Sequence, residues 1–247
     1  MTVLADRPVP APSFLDDLTP DSGLALRRWT PDEFKRLFSS EILPADADLK
    51  LMDGEIIYCD SRTPYLFNRS EYYNLTNFGI LGPEERTELV YGRIITRMSP
   101  RSRPYSLAIN NTSSILENIF GDSCGVETQM PLHVERGLEP EPDVMVLRGP
   151  SADYPGVPRS ADLLLLVEVS KSTLYYDRNT KSRLYAENGI SEYWIVNLQN
   201  RTLEVRRQPE GDEYLSLRVY SETETVAPLA APNALVQVRD LLPMVRE

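Results

Sequence analysis

Several residue types are scarce in this 247-residue chain, and each shortage narrows its chemistry. Histidine occurs once, as His133, which argues against a zinc hydrolase and against a serine–histidine triad. The two cysteines, Cys59 and Cys124, lie far apart with no metal-binding spacing, and read as reduced thiols of a cytoplasmic protein. No apolar run is long enough to cross a membrane, and neither an export leader nor a membrane anchor is expected. Lysine is confined to positions 35, 50, 171 and 181. The formal net charge of −11 excludes a broadly basic surface, so any contact with nucleic acid has to be local.

What is present is enough for a sizeable core, since 41% of the residues are apolar. The length suits one large domain with an added N-terminal piece. Residues 1–28 are rich in Pro and Asp, show no apolar period, and read as a flexible tail or an arm that packs on a neighbour. Ordered structure is expected to begin at Thr30-Pro-Asp-Glu33, where Thr30 caps, Pro31 takes the first helical position and Glu33 completes a capping box. A hairpin turning at Asp53-Gly54 follows.

That unit then recurs. Trp29–Tyr58 aligns with Phe67–Thr96 at an offset of 38, matching Glu33, Leu37, Leu51, Gly54 and Ile56 to Glu71, Leu75, Leu89, Gly92 and Ile94. Residues 29–66 are read as a degenerate copy of a helix–hairpin unit, with Lys50 where the second copy has Glu88. Residues 67–247 then form the main domain. They hold an amphipathic helix from Pro104 to Phe120, an alternating strand through Val126–Val134, strands at Asp143–Leu147 and Leu163–Ser170, and a helix capped by Asp177. A strand at Glu192–Asn197 and a closing antiparallel pair complete an α/β domain with a mixed sheet and helices on its faces.

Two strands carry a carboxylate out of place. Asp143 stands at the mouth of Val-Met-Val-Leu147, and Glu168 sits inside Leu163-Leu-Leu-Leu-Val-Glu-Val-Ser170. A lone buried carboxylate costs several kcal/mol unless it is paired, protonated or bound to metal. The pair suits Mg²⁺ or Mn²⁺, which one or two carboxylates can hold while water and phosphate oxygens fill the other positions. A nearby lysine, Lys171 or Lys181, can orient a water. Each residue also has an ordinary reading. Asp143 can simply start a strand, Glu168 can pair with Lys181 or an arginine, Lys181 can form a surface pair with Asp177, and Glu88 can face solvent. His133 reads as structural, and Tyr175-Tyr176 as packing. Basic charge gathers locally: four arginines and no acid lie between Arg93 and Arg103, and seven basic residues face four acidic ones between Lys171 and Arg207.

The order Pro142-Asp143, Glu168, then lysine resembles the PD-(D/E)xK nuclease superfamily, and more narrowly the Uma-two-type family of restriction-endonuclease-like proteins. Glu88-Leu-Val-Tyr-Gly-Arg-Ile, Gln129-Met-Pro, Glu141-Pro-Asp-Val, Leu166-Val-Glu-Val-Ser, Tyr176-Asp-Arg-Asn-Thr-Lys181 and Leu184-Tyr-Ala-Glu-Asn-Gly-Ile-Ser-Glu-Tyr-Trp-Ile-Val196 carry the resemblance. It implies a restriction-endonuclease-like fold and a metal-dependent endonuclease acting on nucleic acid, with DNA as the expected substrate. In that reading Asp143 and Glu168 are metal ligands, Lys181 is the site lysine and Glu88 is an auxiliary acid. The chain departs from the pattern at Ser170, which replaces the lysine two places after the acid. It departs again at Tyr105, in the place of a histidine, and at Gly92-Arg93, where Gly-Glu is usual. On a straight strand Ser170 shares the side of Glu168 and Lys171 does not, which favours Lys181. The alternative is a non-catalytic binding or assembly protein, and a homo-oligomer is compatible with either.

Overall fold

A computed structural model describes residues 17–18, 20–98, 102–135 and 138–244. The described residues divide into two compact units: one built from residues 24–98, 135 and 138–140, the other from residues 17–18, 20–23, 102–134 and 141–244.

The first unit contains β1 (Leu24–Leu26), α1 (Pro31–Ser39), β2 (Leu49–Met52), β3 (Glu55–Tyr58), α2 (Arg69–Asn77), β4 (Thr87–Val90) and β5 (Arg93–Arg97). Thr30 caps α1 in a reciprocal box with Glu33, and Asn68 does the same for α2 with Glu71. Each helix leads to a two-residue hairpin whose turn residues have positive φ: Asp53 (50°) with Gly54 (77°), and Tyr91 (48°) with Gly92 (73°). Backbone bonds repeat with the same spacing, Trp29 N–H to the Gly54 carbonyl and Phe67 N–H to the Gly92 carbonyl, both at 2.8 Å. Leu37, Leu75, Leu89 and Ile94 share one core with Trp29 and Phe67. The expectation that order begins at Thr30 needs correction. Leu24–Leu26 pairs antiparallel with β5, and Leu24 is buried, because the open edge of that hairpin satisfies its backbone groups. Residues 1–16 and 19 of the expected tail lie outside the described residues.

The second unit contains α3 (Arg103–Phe120), β6 (Val126–Thr128), β7 (Val144–Leu147), β8 (Leu163–Ser170), α4 (Leu174–Tyr176), α5 (Ser182–Glu187), β9 (Glu192–Asn197), β10 (Thr202–Glu210), β11 (Glu213–Ser221), β12 (Thr225–Val226), β13 (Val236–Gln237) and α6 (Val238–Leu241). Six strands form one sheet in the order β11-β10-β9-β8-β7-β6, with β8 and β9 parallel and the other neighbours antiparallel. The single parallel pair is joined by helical chain, as a crossover requires. Val144, Val146, Leu165, Val167, Val169, Trp194 and Val196 bury one face against Ala108, Ile109 and Leu116 of α3. The strand expected to run through Val134 stops at Thr128, because Gln129 turns to φ 52°. Among the described residues no helix is long and apolar enough to cross a membrane.

Candidate active site

Side chains alternate across a strand, so with Val167 and Val169 committed to the α3 face, Glu168 points to the opposite one. There its Oε1 accepts from Lys181 Nζ at 2.9 Å and from the Tyr185 hydroxyl at 2.7 Å. Glu168 and Lys181 are each 1% exposed. The acid is therefore satisfied within the fold, as a buried charge must be.

The helical chain that delivers these partners is irregular. It starts as α4, widens into a π-helical segment at Asp177–Lys181, and resumes as α5. Asp177 is not the helix cap that its sequence position suggests, since the helix starts three residues earlier, at Leu174. Instead Asp177 is buried and accepts from the Thr173 hydroxyl at 2.6 Å. Its carbonyl accepts from the Tyr193 hydroxyl at 3.0 Å. Burial, then the negative charges of Asp177 and Glu168, pushes that hydroxyl well above its ordinary pKa and keeps it a donor. A π turn adds one residue to the helical circuit, a local widening often found at functional positions. Here it ends at the lysine that reaches Glu168.

Asp143 immediately precedes β7. Val144 pairs with Val167, so continuing the register by one residue sets Asp143 across from Glu168 on the neighbouring strand. Directly opposed residues in such a pair have Cβ atoms about 4.5–5.5 Å apart. One Asp143 oxygen accepts from the Val169 backbone N–H at 2.8 Å, and the other accepts from the Tyr105 hydroxyl of α3. Gln129 Nε2 donates in turn to the Tyr105 oxygen at 3.4 Å. Tyr105 is thus a direct partner of Asp143.

Asp143, Glu168 and Lys181 all belong to the second unit, where Lys181 pairs with Glu168 and Asp143 is held by Tyr105 and the Val169 N–H. Glu88 belongs to the first unit, where it is buried and bound by Arg97 at 2.8 Å. It does not face solvent. Lys171 is exposed, while Ser170 is fully buried and 3.4 Å from the Thr173 hydroxyl. His133 is half-buried and bridges to Arg159 through its backbone. Tyr176 is buried and Tyr175 is exposed, so the two do not form one stacking platform.

Two oxygen-donor carboxylates on adjacent strands fit a hard divalent cation with several remaining water positions. Among the described residues no group of three or more His, Cys, Asp or Glu side chains could hold a metal ion. The local basic charge is more neutralised than the sequence suggests. Arg93 pairs with Glu55, Arg97 with Glu88, Arg178 and Arg206 with Glu204, and Arg207 with Glu192. Sequence reasoning missed Tyr185 and Glu192. Tyr185 stands four residues after Lys181, the spacing of one helix face. Glu192 carried the same signal as Glu168, an acid in an apolar strand. Its contacts are structural: Arg207 at 2.6 Å, Trp194 Nε1 at 2.9 Å and the Leu229 N–H at 2.7 Å.

A mixed six-stranded sheet packed against helices makes this an α/β protein of restriction-endonuclease-like architecture. A crystal structure with this fold, described as a putative nuclease belonging to DUF820 from Anabaena variabilis, aligns with a TM-score of 0.55 and 17% identity over 71% of this chain and 97% of its own. The family described as Uma2, putative restriction endonuclease, matches residues 69–240, and the chain belongs to that family. No curated protein matches the sequence.

Proposed function

We propose that this protein is a metal-dependent endonuclease that hydrolyses phosphodiester bonds of nucleic acid, with DNA as the favoured substrate. The observation that carries the reading is the buried Lys181–Glu168 pair on β8, with Asp143 one register step beyond the Val144–Val167 pair on the neighbouring strand. Asp143 and Glu168 would hold Mg²⁺ or Mn²⁺, which supplies charge neutralisation at the phosphate and a water of lowered pKa. Tyr105 and the Val169 N–H fix the Asp143 carboxylate, so that ligand does not have to be ordered on binding. Lys181 places a cation beside Glu168 and, once released from it, can orient a water or face the phosphate. Glu88 enters as an auxiliary acid, and membership of a nuclease family is what supports it. A cytoplasmic location rests on the two unpaired thiols, Cys59 and Cys124.

The test is cleavage of plasmid DNA and of single-stranded RNA with Mg²⁺ or Mn²⁺, paired with calorimetric ion titration. Asp143→Asn, Glu168→Gln and Lys181→Met should abolish cleavage, Glu88→Gln should weaken it, and Asp143→Asn should also lose ion binding. A second reading, a non-catalytic binding or assembly protein, is favoured by the near-complete burial of Glu168 and Lys181 against each other. A wild-type protein that neither binds the ions nor cleaves either substrate would select it.

We further propose that residues 29–66 are a second copy of the helix–hairpin unit, kept for packing. Equivalent positions of the two copies meet each other. The Trp29 and Phe67 rings lie 5.4 Å apart, and Arg93 Nη2 lies 2.5 Å from Glu55 Oε2. Contacts between equivalent residues are the mark of an isologous arrangement. The family match starts at residue 69, beyond the first copy. Glu55→Arg should lower the melting temperature, and adding Arg93→Glu should restore it. Failure of the double variant to recover would remove that support.

A further inference from the structure

The outer edge of the large sheet carries a feature that the proposed chemistry does not use. β11 is nine residues long, pairs with β10 on one side and, among the described residues, has no strand on the other. Unpaired strand edges of this length are normally shortened, bulged or charged, because their free N–H and C=O groups invite another strand. Here the middle of the edge is apolar. Leu215, Leu217 and Val219 occupy alternate positions and are 62%, 52% and 52% exposed. Alternation puts all three on one face of the sheet.

The strand is also nearly palindromic. Around Leu217 the chain reads Tyr214-Leu215-Ser216-Leu217-Arg218-Val219-Tyr220. An antiparallel pair of two such strands, centred on Leu217, sets Leu217 against Leu217, Leu215 against Val219 and Ser216 against Arg218. Tyr214 then meets Tyr220. Every apolar residue of the stripe meets an apolar one, and no charge faces a like charge, an arrangement that cross-strand energetics favours. Within β11 the one acid, Glu213, falls opposite Ser221 of the other copy, and Asp212 meets Glu222 only beyond the strand ends, so the overall net charge of −11 does not oppose contact at its centre. Arg218 is already turned along its own strand, over the Tyr220 ring at 4.3 Å and 3.3 Å from Glu224. It does not project a lone charge across the edge.

We propose that β11 is a homodimer interface, where two copies of this chain pair edge to edge across a two-fold axis at Leu217 and continue the six-stranded sheet into one of twice the width. The occupant is a second copy because the edge complements itself in shape, apolar pattern and charge. The inference is independent of the nuclease reading.

Sedimentation equilibrium of the full-length protein tests it. Wild type should show a reversible monomer–dimer equilibrium in the micromolar range. Leu217→Lys places two cations opposite each other on the axis and should raise the dimer dissociation constant at least tenfold, with an unchanged far-UV circular dichroism spectrum. Ser216→Glu sets a carboxylate across from Arg218 of the other copy twice per dimer, and should tighten association. A misfolded surface would not produce that gain. A wild type that stays monomeric throughout, or a dimer indifferent to both substitutions, would overturn the proposal.

Discussion

Lys181 Nζ lies 2.9 Å from Glu168 Oε1, with each side chain 1% exposed, although thirteen residues and a change from strand to helix separate them in the chain. Breaking such a pair from one side leaves an uncompensated buried charge, at a cost of about 3–5 kcal/mol. Lys181→Met should therefore lower unfolding stability by that order in urea titrations. The double variant Lys181→Met with Glu168→Leu should recover most of the loss, and Lys171→Met, on an exposed side chain, should change little. Equal losses for the two single lysine variants would show that Lys181 is not the buried partner.

The tyrosines on the two acids are expected to act differently. Tyr185→Phe removes one of the donors to Glu168 and should cost about 1.5–3 kcal/mol, the usual worth of a hydrogen bond to a charged group. Tyr105→Phe frees one oxygen of Asp143 from its positioning partner. If Asp143 holds a divalent ion, that change should weaken Mn²⁺ binding by roughly 10–100-fold, the range seen when second-layer partners of metal ligands are removed. Calorimetry on the two variants separates these effects. Unaltered Mn²⁺ affinity in Tyr105→Phe would count against Asp143 as a ligand.

The hydrophobic side of the sheet offers a check that does not depend on function. Leu165 is fully buried in the core shared with α3. Leu165→Ala should cost about 2–5 kcal/mol, from lost transfer energy and the cavity left behind. A loss below 1 kcal/mol in chemical denaturation would mean that β8 is not packed centrally.

Acid sensitivity should be traceable to Glu55. Burial raises its pKa, but the hydrogen bond and charge of Arg93, then the charge of Arg28, outweigh burial and leave it below the ordinary carboxylate value. A carboxylate lowered in the folded state stabilises above its unfolded pKa, and that contribution disappears as pH falls through the folded value. Thermal stability should thus drop on acidification below about pH 4.5, the ordinary glutamate range. Glu55→Gln should be less stable than wild type at neutral pH and show a shallower acid decline. Parallel pH profiles for the two proteins would contradict this assignment.

Local chemistry is written plainly in this sequence. The capping boxes at Thr30 and Asn68, the turns at Asp53-Gly54 and Tyr91-Gly92, and the apolar run of β8 form where short-range preferences place them. So does the presence of two acids in apolar strands, because an acid in such a setting contradicts the pattern around it. Less legible was everything set by partners distant in the chain. β1 became a strand only because β5 had an open edge, and β6 ended early because Gln129 turned. Asp177 looked like a cap, yet the π turn carried it into the interior with Lys181. Glu168 and Glu192 look alike as buried acids in strands. One is held by Lys181 and Tyr185 across from Asp143, the other by Arg207 and Trp194. The sequence by itself determined which charges had to be answered inside the fold, because burying a charge is costly wherever it lies. Which partner answers each one was decided only by tertiary structure, because strand register and helix placement set the few ångströms over which a hydrogen bond forms.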